Sequence, residues 1–145
     1  MSTKGRYGTR AMLDLALHYG QGQVLVKDVA KREGVSQHYL EHLFIQLIAA
    51  GFVNSTRGAK GGLTLAKPPA QIRVSEVIEV MEGSSALVQC VDDPKSCARS
   101  GICVTRDLWA DIKTAMSGVL EATTFQDLVE RQREKEQATA IMYYI

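Results

Sequence analysis

Apolar residues recur at helical spacing through Tyr7, Ala11, Met12, Leu15, Ala16 and Tyr19, which predicts a first helix over 6–19, ended by Gly20 and Gly22. Val26 to Glu33 reads as a short second helix with Val29 and Ala30 turned inward. Gly34 breaks it, and Ser36 is suited to cap a third helix running through SQHYLEHLFIQLIAA. Leu40, Leu43, Phe44 and Leu47 form the buried stripe of that helix, and Gly51 stops it. Two extended runs, FVNST (52–56) and LTLA (63–66), flank RGAKGG, whose three glycines suit a hairpin tip.

Beyond Pro68 and Pro69 the pattern predicts a helix over 75–82, with Val77, Ile78 and Met81 inside and Gly83 after it. Residues 84–103 read as loop. A long helix follows from Thr105 to Glu121, where Leu108, Ile112, Ala115 and Val119 are spaced 4, 3 and 4 apart, with Met116 beside them. That spacing is a seam for another helix. A last helix runs from Phe125 to about Glu136, before a polar tail ending IMYYI. Helix, helix, turn, helix, glycine-tipped hairpin is the order of a winged helix-turn-helix. The expected fold class is therefore mainly α with a small β-hairpin wing, extended by a long helix that carries a seam for another helix. The expected organisation is a DNA-binding domain over 1–83, a cysteine-rich loop over 84–104, the long helix and C-terminal helix over 105–136, and a tail over 137–145.

The net charge of +1 hides an asymmetry. Residues 1–67 hold nine Lys/Arg against four Asp/Glu, and residues 68–145 hold eight against twelve, so the front is +5 and the back −4. A basic front half is what a polyanion partner requires. No apolar run is long enough to span a bilayer and no signal core follows Met1, so the expectation is a cytoplasmic protein without a membrane partner. No nucleophile–base set, nucleotide loop or substrate pocket is visible, and no enzymatic activity is expected.

With the stripe of the third helix turned inward, His38, Glu41 and His42 project outward, with Ser36 and Gln37 at the exposed N-terminal end. These are side chains of the kind that read base edges in a major groove. Glu41 repels phosphate but accepts from a cytosine amino group, so it would discriminate between sites more than add affinity. Arg57 and Lys60 on the hairpin tip suit a minor groove or flanking phosphates. Lys4, Arg6, Lys27 and Lys31 are expected as phosphate contacts. An amphipathic helix always has a polar face, so it is the ordered set, together with the charge asymmetry, that points to DNA. His38 and His42, four apart, have the spacing for a metal ion on one helix face, but the Glu of HYLEH is misplaced for a zinc-protease motif. A DNA-facing role is the expectation for this pair.

All three cysteines, Cys90, Cys97 and Cys103, lie within fourteen consecutive positions. An odd number excludes complete internal pairing, and free or metal-bound thiols fit a reducing compartment. The gaps of six and five residues are loose for a zinc knuckle, whereas iron–sulfur clusters are held mainly by cysteine thiolates. Lys95, Arg99 and Arg106 would offset the negative charge.

The segments TKGRYGTRAMLDLAL, GVSQHYLEHLFIQL and STRGAKGG, followed by a three-cysteine loop and a long helix, resemble the IscR-type regulators. These are winged-helix transcription factors of the Rrf-two family, whose relatives include NsrR and CymR. The resemblance covers about residues 3–135. It implies a homodimer joined through the helix at 105–121, residues Ser36 to Glu41 in the major groove and Arg57 on the wing. It further implies Cys90, Cys97 and Cys103 as ligands of an iron–sulfur cluster, 2Fe–2S in the IscR branch. One position departs from that pattern: a histidine ligand is expected three residues after the third cysteine, and Arg106 stands there, a side chain that stays protonated. Asp107, a turn beyond Cys103, is the candidate fourth ligand, with Asp92 and Asp93 as weaker ones.

The expected function is a dimeric transcription regulator, a repressor of iron–sulfur assembly genes on a palindromic operator, with iron–sulfur donor proteins as further partners. The alternatives are a winged-helix regulator switched by thiol redox or zinc, and one that docks on a partner protein.

Overall fold

The computed structural model of the chain describes residues 1–144. Seven α-helices and one two-stranded hairpin follow in the order α1 (Thr3–Leu17), α2 (Val26–Glu33), α3 (Gln37–Ala49), β1 (Val53–Thr56), β2 (Gly62–Leu65), α4 (Val74–Glu82), α5 (Gln89–Asp92), α6 (Val104–Ala122) and α7 (Phe125–Tyr143). The mainly helical class with a hairpin wing is as the sequence predicts.

The core is the junction of α1, α3 and α4. Ala11, Met12, Leu15 and Ala16 of α1 meet Leu40, Leu43, Phe44 and Leu47 of α3 and Val77, Ile78 and Met81 of α4, all buried. The α1–α4 contact is close because Gly8 faces Met81: a Cβ there would stand 2.7 Å from the Met81 side chain. The N-terminus is tied to the same place, since the Ser2 N–H and hydroxyl both donate to Glu82 Oε1, at 2.6 and 2.9 Å. Ser2 Oγ in turn accepts from the Gly5 N–H, which caps α1 and starts it at Thr3 rather than at residue 6. Tyr19 falls beyond the end of α1 and is exposed, not part of the inward stripe.

The wing pairs antiparallel, with Val53 opposite Leu65 and Thr56 opposite Gly62. Its tip closes tightly: a Cβ on Gly61 would stand 2.1 Å from the Thr56 carbonyl oxygen, so no side chain fits. A bridge between Val24 and Leu63 fastens the hairpin to the segment entering α2.

Three departures from the sequence reading concern the second half. The cysteine segment is not all loop: Gln89–Asp92 forms the short α5 and Pro94–Ser96 a single 3-10 turn, begun where Asp93 accepts from the Lys95 N–H. The last helix runs to Tyr143 instead of stopping near Glu136, because Glu, Lys, Gln and Ala favour helix and neither Gly nor Pro interrupts them. Ile145, the final residue of the expected tail, lies outside the described residues. Third, α7 returns to the front half of the chain. Phe125 and Val129 are 0% and 2% exposed within the common core, and the Phe125 N–H donates to the Ile72 carbonyl at 3.0 Å. Thr124 and Asp127 cap the helix reciprocally, each accepting from the other's backbone N–H. Among the described residues, no helix is long and apolar enough to cross a membrane.

Candidate functional site

The outward face of α3 is built as the periodicity requires. Ser36 Oγ accepts from the Tyr39 N–H at 3.1 Å and fixes the start of the helix. Ser36, Gln37, His38, Glu41 and His42 are all exposed. Gln37 donates to Glu41 Oε1 at 2.8 Å, and His38 and His42 face each other with Nε2 atoms 3.2 Å apart. Arg6, Lys27, Lys31, Arg57 and Lys60 are exposed and Lys4 half-exposed. Among the described residues, the ion pairs engage Arg10, Arg32, His18 and Lys113, so none of these six cations is held by a carboxylate. Arg6 does lie over the Tyr7 ring, 5.1 Å from its centre.

What orients α2 and α3 on α1 is a set of polar contacts the sequence reading did not single out. Asp14 is 5% exposed and receives Arg32 in a two-pronged bond, Nε to Oδ2 at 2.7 Å and Nη2 to Oδ1 at 2.8 Å. The Asp14 hydrogen bond, more than its charge, holds the Arg32 guanidinium above its ordinary range. Arg10 pairs with Glu33 at 2.5 Å, and Tyr7 meets Tyr39 edge to face with centroids 6.0 Å apart. An acidic residue one position before Leu15, inside an otherwise apolar stripe, is the signal that marks Asp14.

The three cysteines are all free and half-buried, Cys90 on α5, Cys97 after the 3-10 turn and Cys103 at the N-cap of α6. Arg106 turns away from the role of ligand: its Nε–H donates to the Cys90 carbonyl at 2.8 Å. Lys113, two turns further along α6, pairs with Asp92. That contact, followed by the Ser84 hydroxyl, holds the Asp92 carboxyl below its usual range. The Cys103 thiol is likewise held below its ordinary range, first by the Thr105 hydroxyl at 3.1 Å and then by the Arg106 N–H, while the charge of Asp107 opposes this.

By kind and number of donors, three thiols on one segment suit an iron–sulfur cluster. They are not yet gathered, for among the described residues no three Cys, His, Asp or Glu side chains stand close enough to share one ion. Asp107 is exposed on the first turn of α6 and joins no such group.

No residue of α6 is buried in the single chain. Leu108 and Val119 are 51% and 67% exposed, with Met116 and Val104 also exposed. Ala115 is exposed and Ile112 half-exposed on the same seam, an apolar stripe that one chain leaves uncovered.

A family model for an iron-dependent transcriptional regulator, Rrf2, matches residues 1–131. The chain belongs to the Rrf2 family. It is a DNA-binding transcription regulator, and its relatives are named regulators, not enzymes. CymR of Bacillus subtilis is 37% identical over 145 residues, covering 100% of this chain and 99% of that protein. IscR of Photorhabdus laumondii is 38% identical over 132 residues, covering 91% of this chain and 80% of its own length. The solved structure of T. potens IscR superposes with a TM-score of 0.80 at 40% identity, covering 99% of this chain and 96% of that one. That of Bacillus subtilis CymR, described as a global cysteine regulator, superposes at 0.77, with 38% identity and 90% and 96% coverage. The winged-helix fold class stands on these neighbours, and the Rrf2 family includes both IscR and CymR branches.

Proposed function

We propose that this Rrf2-family chain is a dimeric repressor whose DNA affinity is set by an iron–sulfur cluster on Cys90, Cys97 and Cys103, and that it controls iron–sulfur assembly genes. When bound, such a cluster, of the 2Fe–2S type, supplies an iron- and oxygen-labile cross-link among three thiolates. Asp107, one helical turn beyond Cys103, is the candidate oxygen donor for a fourth position.

The observation that carries the reading is mechanical. The cysteine segment is fastened to α6 twice, by Arg106 to the Cys90 carbonyl and by Lys113 to Asp92. The same helix presents the uncovered stripe of Leu108, Ile112, Ala115, Met116 and Val119, to which we assign the two-fold dimer contact. A change in the segment is thus handed to the helix that fixes the distance between two reading helices α3, and so to a palindromic operator with fixed half-site spacing. Ser36, Gln37, His38, Glu41 and His42 enter the major groove in this scheme, while Arg57 and Lys60 reach beside it and Lys4, Arg6, Lys27 and Lys31 meet phosphate. The cytoplasm is where such a protein works, with iron–sulfur donor proteins as its suppliers.

Arg106 favours a second reading. Where the IscR pattern has a ligating histidine this chain has a fixed cation engaged with backbone, and one branch of its relatives is described as a cysteine regulator. In that reading the thiols act directly, Cys103 being held below the ordinary thiol range by the Thr105 hydroxyl.

Anaerobic purification followed by a visible absorption spectrum, with iron, sulfide and zinc measured per chain, separates the two. Coloured protein with iron and sulfide in near-equal amounts is the expected result. Colourless protein that stays so after anaerobic reconstitution removes the cluster and leaves the thiol switch.

A further inference from the structure

The two histidines on the outer face of α3 do more than point outward. Their Nε2 atoms are 3.2 Å apart, and their rings stand at 85° with centroids separated by 4.5 Å. Imidazole nitrogens bind zinc-like ions at about 2.0–2.1 Å, so two of them on one tetrahedral ion lie about 3.3 Å from each other. The pair already holds that separation, on a helix whose start is capped and whose opposite face is locked in the core. The backbone beneath the pair is thereby fixed, and chelation by two ligands on one rigid element multiplies the affinity of either alone.

In the metal-free pair one ring donates its Nε2–H to the lone pair of the other. An ion in that place takes both Nε2 lone pairs, and the displaced proton moves to the Nδ1 of the donating ring, so no net charge is shed. The remaining coordination positions open to water, because both side chains are exposed. The third histidine, His18, lies apart at the C-terminal cap of α1, where its Nδ1 is 2.7 Å from the Asp14 carbonyl oxygen.

We infer that His38 and His42 form a two-histidine site for a divalent transition-metal ion such as zinc, nickel or copper, and that this ion competes with DNA for the face of α3. The competition rests on the proposal that this face reads DNA. The metal site does not. Both Nε2 atoms are withdrawn from base edges when they ligate, and the ion with its water shell stands where a base pair would approach.

The test uses the full chain with its cysteines alkylated by iodoacetamide, which removes the thiols as rival ligands. The probe is nickel(II) nitrilotriacetate, which leaves two adjacent coordination positions open and carries a net negative charge, so it adds no attraction to phosphate. One equivalent should bind the native chain, and His38→Ala and His42→Ala should each weaken that binding by about tenfold or more. Circular dichroism confirms that both variants fold. Equal affinity in the native chain and both variants overturns the site.

The second arm measures binding to a duplex enriched by the native chain from a random pool, with and without the saturating nickel complex. Each protein is compared only with itself, because both histidines belong to the proposed reading face. The nickel complex should weaken DNA binding several-fold for the native chain and leave the ratio near one for the variants. Nickel that binds the pair without changing DNA affinity overturns the competition. That outcome counts against α3 as the reader and not against the metal site.

Discussion

The Nε–H of Arg106 donates to the carbonyl oxygen of Cys90 at 2.8 Å, closing sixteen residues of chain onto the first turn of α6. A guanidinium is the side chain for this task, since it stays charged and its donors are rigidly placed. Arg106→Ala should remove one of the segment's two ties to α6, and hydrogen exchange should show faster exchange over residues 88–97 with the α1 and α3 amides unchanged. Arg106→His removes the same tether but offers an imidazole ligand. If a cluster is held here, that variant should keep its visible absorbance several-fold longer on exposure to air than the native chain does.

Arg32 and Asp14 make a separate prediction about stability. Arg32→Ala leaves a 5% exposed carboxylate whose remaining ion-pair contact among the described residues is the His18 imidazole, 3.5 Å away. Stranding a buried charge costs 3–5 kcal/mol, but the Arg32 side chain is 42% exposed and water can follow it in. The expected loss is about 2 kcal/mol, read as a lower urea midpoint at unchanged slope. Arg32→Lys keeps the charge, loses the two-pronged geometry and should fall between.

The apolar pattern made α1 through the wing legible because each element there alternates core and surface at its own period. Leu40, Leu43, Phe44 and Leu47 are buried as their spacing requires, and Gly61 sits at the tip where no side chain fits. The docking of Phe125 and Val129 on the front half was not legible, because one apolar turn at the start of a polar helix does not name partners more than fifty residues away in the chain. The polar pins were illegible for a related reason. Asp14 with Arg32, and Arg106 with the Cys90 carbonyl, are pairings of common residue types that only the folded backbone brings together.

The uncovered stripe on α6 makes a prediction about assembly. Leu108→Glu puts a carboxylate into the proposed seam at small cost to the single chain, where Leu108 is 51% exposed. The monomer–dimer equilibrium should shift toward monomer by on the order of 3 kcal/mol, measured by sedimentation equilibrium. Affinity for a two-half-site duplex should fall with it, while the circular dichroism spectrum is retained.

The wing and the reading helix should fail in different ways. Arg57→Ala, at an exposed cation without an ion-pair partner among the described residues, should weaken binding evenly across sequences and reduce the salt slope by about one. Glu41→Gln removes a charge that repels phosphate, so binding to arbitrary DNA should strengthen while discrimination falls by about 1–3 kcal/mol at one base position. Titrations of selected and scrambled duplexes at several salt concentrations read both effects.

The state of the cysteine segment is proposed to set DNA affinity. The decisive measurement is anaerobic quantitative footprinting of one preparation before and after removal of its iron and sulfide, on the same selected palindromic duplex. The two forms should differ in affinity or in site choice, with the difference abolished in Cys90→Ser. Identical protection by both forms at every protein concentration would contradict it.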